Sequence, residues 1–185
     1  MIRKDAVKLI AKEIGNHPII SANGFLSRDV YETSEKENNF YMIGSMGLAS
    51  SIGLGLALKN KKKKIYVFDG DGNILMNLGS LVTIGSLQPK NFVHIIFDNK
   101  VHESTGGQPT NSGKIELEKL GKVAKFKTYK IFTENQIKNI IPKIKKETGP
   151  ILVLVKIDKS KVKSIRVDIE PPKIKTRFMQ SLRQK

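Results

Sequence analysis

Ile65-Tyr66-Val67-Phe68-Asp69-Gly70-Asp71-Gly72-Asn73 decides the fold: an apolar run of strand length passes straight into an acidic, glycine-rich turn. From Ile74 to Gly85 the apolar residues recur at helical spacing, so the whole stretch reads as strand, tight turn and helix. Phe92 to Phe97 is a second apolar run, closed by Asp98-Asn99, and Ile151 to Val155 is a third. Runs that are apolar at every position suit strands covered on both faces, as parallel sheets are. Upstream, the spacing predicts a helix over 3–15, a short strand over 18–22, a helix capped by Ser27 and a strand over 40–43. The small residues of 46–58 predict a helix packed closely on several sides. Downstream lie a polar loop over 100–113, a helix near 115–122 and a strand near 128–132. Thr133 and Gln136 form a capping-box pattern that opens a last helix, which Pro142 is expected to bend or reset. The fold class is therefore α/β, a mostly parallel sheet with helices on both faces. One domain over 1–157 is expected, followed by a basic C-terminal arm or poorly ordered tail over 158–185.

Composition narrows the function classes. The chain has 185 residues, 39% hydrophobic and 27% charged, the balance of a globular rather than a membrane protein. With no cysteine it holds no disulfide, thiolate zinc site or iron–sulfur cluster of its own. Met1-Ile2-Arg3-Lys4-Asp5 leads into an amphipathic pattern rather than a secretion signal, and the expected compartment is the cytoplasm. The net charge of +16 raises nucleic acid as a partner. Its distribution argues otherwise: the lysines gather at Lys61 to Lys64, at Lys143, Lys145 and Lys146, and through the tail. Aromatics are 6%, tryptophan is absent, and no basic run is interleaved with stacking residues. Solvated lysines, an acidic partner subunit or an anionic ligand remain as explanations, with no nucleic acid and no membrane among the expected partners.

The chemistry collects at the strand ends, where open α/β sheets bind ligands. Asp71 follows one strand and Asn99 follows the next, 28 residues on. A strand-helix-strand unit sets those ends side by side, so a carboxylate and an amide oxygen can face one ion. Magnesium takes such hard oxygen ligands and shares its shell with phosphate oxygens and water. Gly70 and Gly72 let backbone approach a diphosphate, with Asn73 in the same turn. By itself the tripeptide Gly70-Asp71-Gly72 is common in turns.

Combined with Asn99, the tripeptide resembles the signature of thiamine-diphosphate enzymes. The resemblance implies a thiamine-diphosphate-binding fold, with magnesium held by Asp71, Asn99 and the backbone carbonyl of Val101. Gly44-Ser45-Met46-Gly47 looks like the family's aminopyrimidine-binding segment. It implies that the Gly44 carbonyl meets the cofactor's amino group and that Met46 wedges the cofactor into a bent shape; alone, Met46 reads as a core residue.

The loop Val101-His102-Glu103-Ser104-Thr105-Gly106-Gly107-Gln108-Pro109-Thr110 resembles phosphonopyruvate decarboxylases and, more loosely, sulfopyruvate decarboxylases. Asn23 to Tyr31 resembles their first cofactor-site loop, with Arg28 in place. The implied reaction is decarboxylation of a small anionic 2-oxoacid, with phosphonopyruvate giving phosphonoacetaldehyde and sulfopyruvate as the alternative. Arg28, Ser104, Thr105, Gly106, Gly107 and Gln108 are the implied substrate contacts. His102 is a candidate for protonating or stabilising an intermediate, with a structural role as the competing reading. The resemblance implies an activating glutamate supplied by a pyrimidine-binding domain, which is not expected within these 185 residues. A companion subunit in an α2β2 or larger hetero-oligomer is therefore expected. The β subunits of 2-oxoacid:ferredoxin oxidoreductases share the metal motif, but those with a cluster in this subunit need cysteines. A non-catalytic cofactor-binding or regulatory subunit stays open.

Overall fold

The apolar runs form a single six-stranded sheet in the computed structural model, which describes residues 1–183. Its strands are β1 (Ile19–Ser21), β2 (Asn39–Tyr41), β3 (Ile65–Gly70), β4 (Phe92–Asp98), β7 (Lys127–Ile131) and β8 (Ile151–Lys156). They lie in the order β2-β1-β3-β4-β8-β7, every pair parallel. The central strands β3, β4 and β8 are buried almost throughout, which is why they are apolar at consecutive positions.

Right-handed crossovers decide which face each helix covers. The paths from β1 to β2 and from β7 to β8 run one way across the sheet, and those from β2 to β3 and from β3 to β4 run the other. Helices α2 (Phe25–Ser34) and α7 (Glu134–Lys146) therefore share a face, bridged by α1 (Arg3–Ile14), which packs on both. Helices α3 (Ala49–Lys59) and α5 (Gly79–Leu87) contact one another on the opposite face, and α6 (Leu117–Val123) packs on β7 and β8. The small residues of α3 have a steric cause: a Cβ on Gly53 would lie 2.2 Å from Val67 Cγ2 of β3.

Several boundaries differ from the sequence expectations. Gly24, with φ 83°, is the N-cap of α2, and Ser27 lies inside its first turn, donating to the Met42 carbonyl at 3.1 Å. Helix α3 starts at Ala49 because residues 44–48 form a turn with positive φ at Ser45 and Gly47. The single helix expected after the acidic turn is broken into α4 (Asp71–Ile74), a 3-10 turn and α5. Pro142 leaves α7 unbroken. The polar loop contains an antiparallel hairpin of β5 (Val101–His102) and β6 (Gln108–Pro109). Beyond Ile157 the chain crosses the surface without regular secondary structure and then forms α8 (Pro171–Arg183), whose Phe178 packs on Phe40 with ring centroids 5.4 Å apart. Among the described residues no helix is long and apolar enough to cross a membrane.

Candidate functional site

The direction of travel across the sheet reverses between β1 and β3, and at such a point the strand-end loops part and leave a crevice. A cleft opens there. Of the residues that the sequence singles out, Met46, Gly70, Asp71, Gly72, Asn73, Asn99, Val101, His102 and Ser104 line it. Gly44 and Ser45 belong to a neighbouring groove beside Ile43 and Leu48. Arg28 lines a separate recess with Arg166. Thr105, Gly106, Gly107 and Gln108 form the exposed tip of the β5–β6 hairpin and are not part of the cleft wall.

Asp71 is buried at the start of α4, directly after β3. Its Oδ2 accepts hydrogen bonds from Thr110 and, at 2.9 Å, from Ser112, both at the far end of the hairpin loop. Ser112 Oγ also lies 2.8 Å from Asp98 Oδ1, while Lys156 pairs with the other Asp98 oxygen. A hydroxyl has one proton to donate, so Ser112 cannot satisfy both carboxylates at once. Burial raises the Asp71 carboxyl above its usual range; the hydrogen bond from Thr110 opposes that rise and the Asp98 charge adds to it. A cation beside Asp71 would relieve both the burial cost and the crowding.

The neighbouring oxygens fit the same ion. Asn99 closes β4, and its Oδ1 accepts from the Val101 amide at 3.1 Å, which folds the turn back toward the cleft. Val101 faces Pro109 in the hairpin register, and because the Thr110 amide donates to the Lys100 carbonyl at 2.9 Å, Val101 belongs to a non-hydrogen-bonded pair whose carbonyl points away from β6. That carbonyl is left without a ladder donor. Among the described residues no three His, Cys, Asp or Glu side chains gather as a metal cage, so an ion here would complete its shell with amide, carbonyl and ligand oxygens.

The other wall includes Met46, which the turn at residues 44–48 carries. Ser45 has φ 61° and Gly47 has φ 86°. Gly47 is held at both ends: its amide donates to Asn73 Oδ1 and its carbonyl accepts from Asn77, each at 3.0 Å. His102 lies over the backbone of residue 72, where a Cβ on Gly72 would sit 2.4 Å from its Cε1.

Some cleft residues escaped the sequence reading. Arg3 reaches the rim from α1, pairing with Glu103 of the hairpin and, at 2.6 Å, with Asp29 of α2. Glu103 also accepts from the Ser160 amide at 2.8 Å, which ties the C-terminal arm to the hairpin. Ser112 reads in the sequence as one more polar residue of the loop over 100–113. Nothing local marks Arg3, whose partner lies 100 residues away.

Residues 13–155 match the thiamine pyrophosphate enzyme C-terminal TPP binding domain. Over 184 residues the chain is 41% identical to the sulfopyruvate decarboxylase subunit beta of Methanocaldococcus jannaschii, covering 98% of this chain and 97% of that one. It is 34% identical over 173 residues to the phosphonopyruvate decarboxylase of Streptomyces viridochromogenes, covering 92% of this chain but 43% of that protein. A Mycobacterium smegmatis structure assigned as a thiamin diphosphate-dependent enzyme superposes with a TM-score of 0.74 at 11% identity, over 86% of this chain and 32% of that one. At that identity the likeness concerns the fold alone.

Proposed function

Because the chain belongs to the thiamine pyrophosphate enzyme family, through its C-terminal TPP binding domain, we propose that it is the diphosphate-binding subunit of a magnesium-dependent 2-oxoacid decarboxylase acting on sulfopyruvate. The observation that carries this reading is the meeting of Asp71, Asn99, Val101 and Met46 at one strand-end cleft. Asp71, Asn99 and the Val101 carbonyl hold Mg²⁺, and Gly70, Gly72 and Asn73 border the diphosphate. Gly44, Ser45 and Met46 take the pyrimidine end. Thiamine diphosphate, when bound, supplies a nucleophilic carbon and a sink for the electron pair left by departing carbon dioxide. His102 holds or moves a proton above Gly72. Ser104 at the cleft, Thr105, Gly106, Gly107 and Gln108 at the hairpin tip, and Arg28 from its separate recess receive the substrate's anionic end.

The activating glutamate comes from a second subunit with a pyrimidine-binding domain, in an α2β2 or larger assembly. Residues 1–157 form the cofactor-binding domain and residues 158–183 an arm, the last two residues of the expected 158–185 tail lying outside the described residues, and the assembly works in the cytoplasm. Sulfopyruvate stands ahead of phosphonopyruvate because a sulfopyruvate decarboxylase subunit beta is matched over 97% of its own length, whereas the Streptomyces phosphonopyruvate decarboxylase is matched over 43%. Phosphonopyruvate is the second reading, supported by the resemblance of the hairpin sequence and by the Streptomyces relative.

Co-expression with the pyrimidine-domain subunit, followed by assay of carbon dioxide release from both substrates, tests the proposal. Sulfopyruvate should be preferred at least tenfold in kcat/KM, which corresponds to ~1.4 kcal/mol of transition-state binding. Release from neither substrate, with cofactor and Mg²⁺ saturating, would leave a regulatory subunit as the better reading.

A further inference from the structure

His94 is fully buried in the middle of β4, and its Nε2 lies 2.9 Å from Asp69 Oδ2 at the end of β3. Both side chains are 0% exposed. A buried carboxylate must find donors, and Asp69 finds them on two sides: His94 on one oxygen, and the Asn73 side-chain amide with the Gly70 amide on the other. Asn73 in turn spends its own oxygen on the Gly47 amide. One unbroken chain of hydrogen bonds thus runs from the middle of the sheet, through the strand end before Asp71, to the turn that bears Met46. His94 Nδ1 is buried without a partner among the described residues. A ring with one nitrogen left unpaired is a costly way to fill a core position, and an apolar residue would avoid that cost.

We propose that His94 and Asp69 are positioning residues: they fix the rotamer of Asn73, and Asn73 fixes the Gly44–Gly47 turn against the Asp71 strand end. The turn needs such an anchor. Ser45 occupies a left-handed backbone conformation that a non-glycine residue holds only when its surroundings impose it. With Asp69 held on both oxygens, Asn73 is left with one orientation, amide toward Asp69 and oxygen toward Gly47. The two lips of the cleft then keep a constant separation. In assigning those lips to the two ends of a cofactor, the inference rests on the function proposed above; the hydrogen-bond chain itself does not.

Amide hydrogen exchange of the full chain, read by NMR at Gly47, tests the chain of contacts without any cofactor. In Asn73→Ala and in His94→Phe the Gly47 amide should exchange at least about tenfold faster than in the wild type, beyond any acceleration at Val67 and Ile95, which report opening of the sheet as a whole. His94→Gln, whose amide nitrogen can replace Nε2 as donor to Asp69, should restore the wild-type rate. Gly47 exchange that rises no more than exchange at Val67 and Ile95 would overturn the proposal, as would a His94→Gln rate equal to that of His94→Phe. Weak thiamine diphosphate binding by the assembled wild-type enzyme, with Gly47 protected as described, would count against the proposed function and leave the positioning chain standing.

Discussion

Substituting Gly72 by alanine tests how the cleft is packed. A Cβ there would lie 2.4 Å from His102 Cε1, 2.6 Å from His102 Nδ1 and 3.1 Å from Thr110 Cγ2. Carbon atoms in contact sit about 3.5–4.0 Å apart, so the imidazole must retreat by roughly 1 Å or more. Overpacking of this kind costs ~1–3 kcal/mol. Residue 72 lies in α4 without a positive φ, so alanine also gains about 1 kcal/mol of helix preference over glycine. The net loss for Gly72→Ala is therefore about 0–2 kcal/mol. In a His102→Ala background the collision disappears and the same substitution should turn neutral or stabilising, leaving only the looser Thr110 contact. The resulting coupling energy is about 1–3 kcal/mol, read from urea unfolding of the wild type, both single variants and the double variant. Should alanine at 72 cost the same with and without His102, to within about 0.5 kcal/mol, the imidazole does not lie where the argument puts it. In the assembled enzyme, displacing His102 by an ångström should lower turnover by about 100-fold if it serves the chemistry.

Three further outcomes are expected. Asp71→Asn removes a buried charge beside Asp98, so apo stability should hold or rise, while calorimetric titration of the assembled enzyme should show Mg²⁺-dependent cofactor affinity lowered by at least about 100-fold. His17 is held below its usual imidazole range by burial, and further by Lys145, Lys64 and Lys36. A depressed histidine contributes stability that is complete above its unfolded value of 6.5 and is lost as pH falls through its folded value. Thermal scans between pH 7 and pH 5 should therefore show a Tm decline that His17→Asn makes shallower. Gly85→Ala should cost about 3 kcal/mol, roughly 10 °C in Tm, because a Cβ there would sit 1.8 Å from the Ala124 carbonyl oxygen and backbone cannot swing aside as a side chain can.

What the sequence discloses follows from how local its causes are. Apolar runs such as Phe92 to Phe97 mark buried strands, and Asp71 and Asn99 stand out because strand ends are where such sheets place their ligands. The break between α4 and α5 lacks a local signal: Ile74 to Gly85 keeps helical spacing, and the kink serves contacts from Asn77 to Gly47 that sequence does not display. The basic stretch after residue 157 reads as an arm or a poorly ordered tail, yet Pro171 and Pro172 open α8, because proline is tolerated in the first turn of a helix. Ile174 and Phe178 then supply the i, i+4 stripe by which α8 docks. Long-range polar partners such as Arg3 with Glu103, Ser112 with Asp71, and His94 with Asp69 were hidden because each is made by the fold and not by neighbours in the chain.

The position of β8 has a consequence for the order in which the chain can be completed. This strand lies between β4 and β7 although both are synthesised before it, so each waits with an unpaired edge until residues 151–156 emerge. Lys156, the last residue of that late strand, is also the cation that answers Asp98 beside Asp71. A nascent chain halted before residue 151 would therefore carry an open β4 edge, a β7 segment with no partner strand and an uncompensated acidic cleft together. Closing the sheet and balancing the charge of the site are a single event, and both wait for residues 151–156.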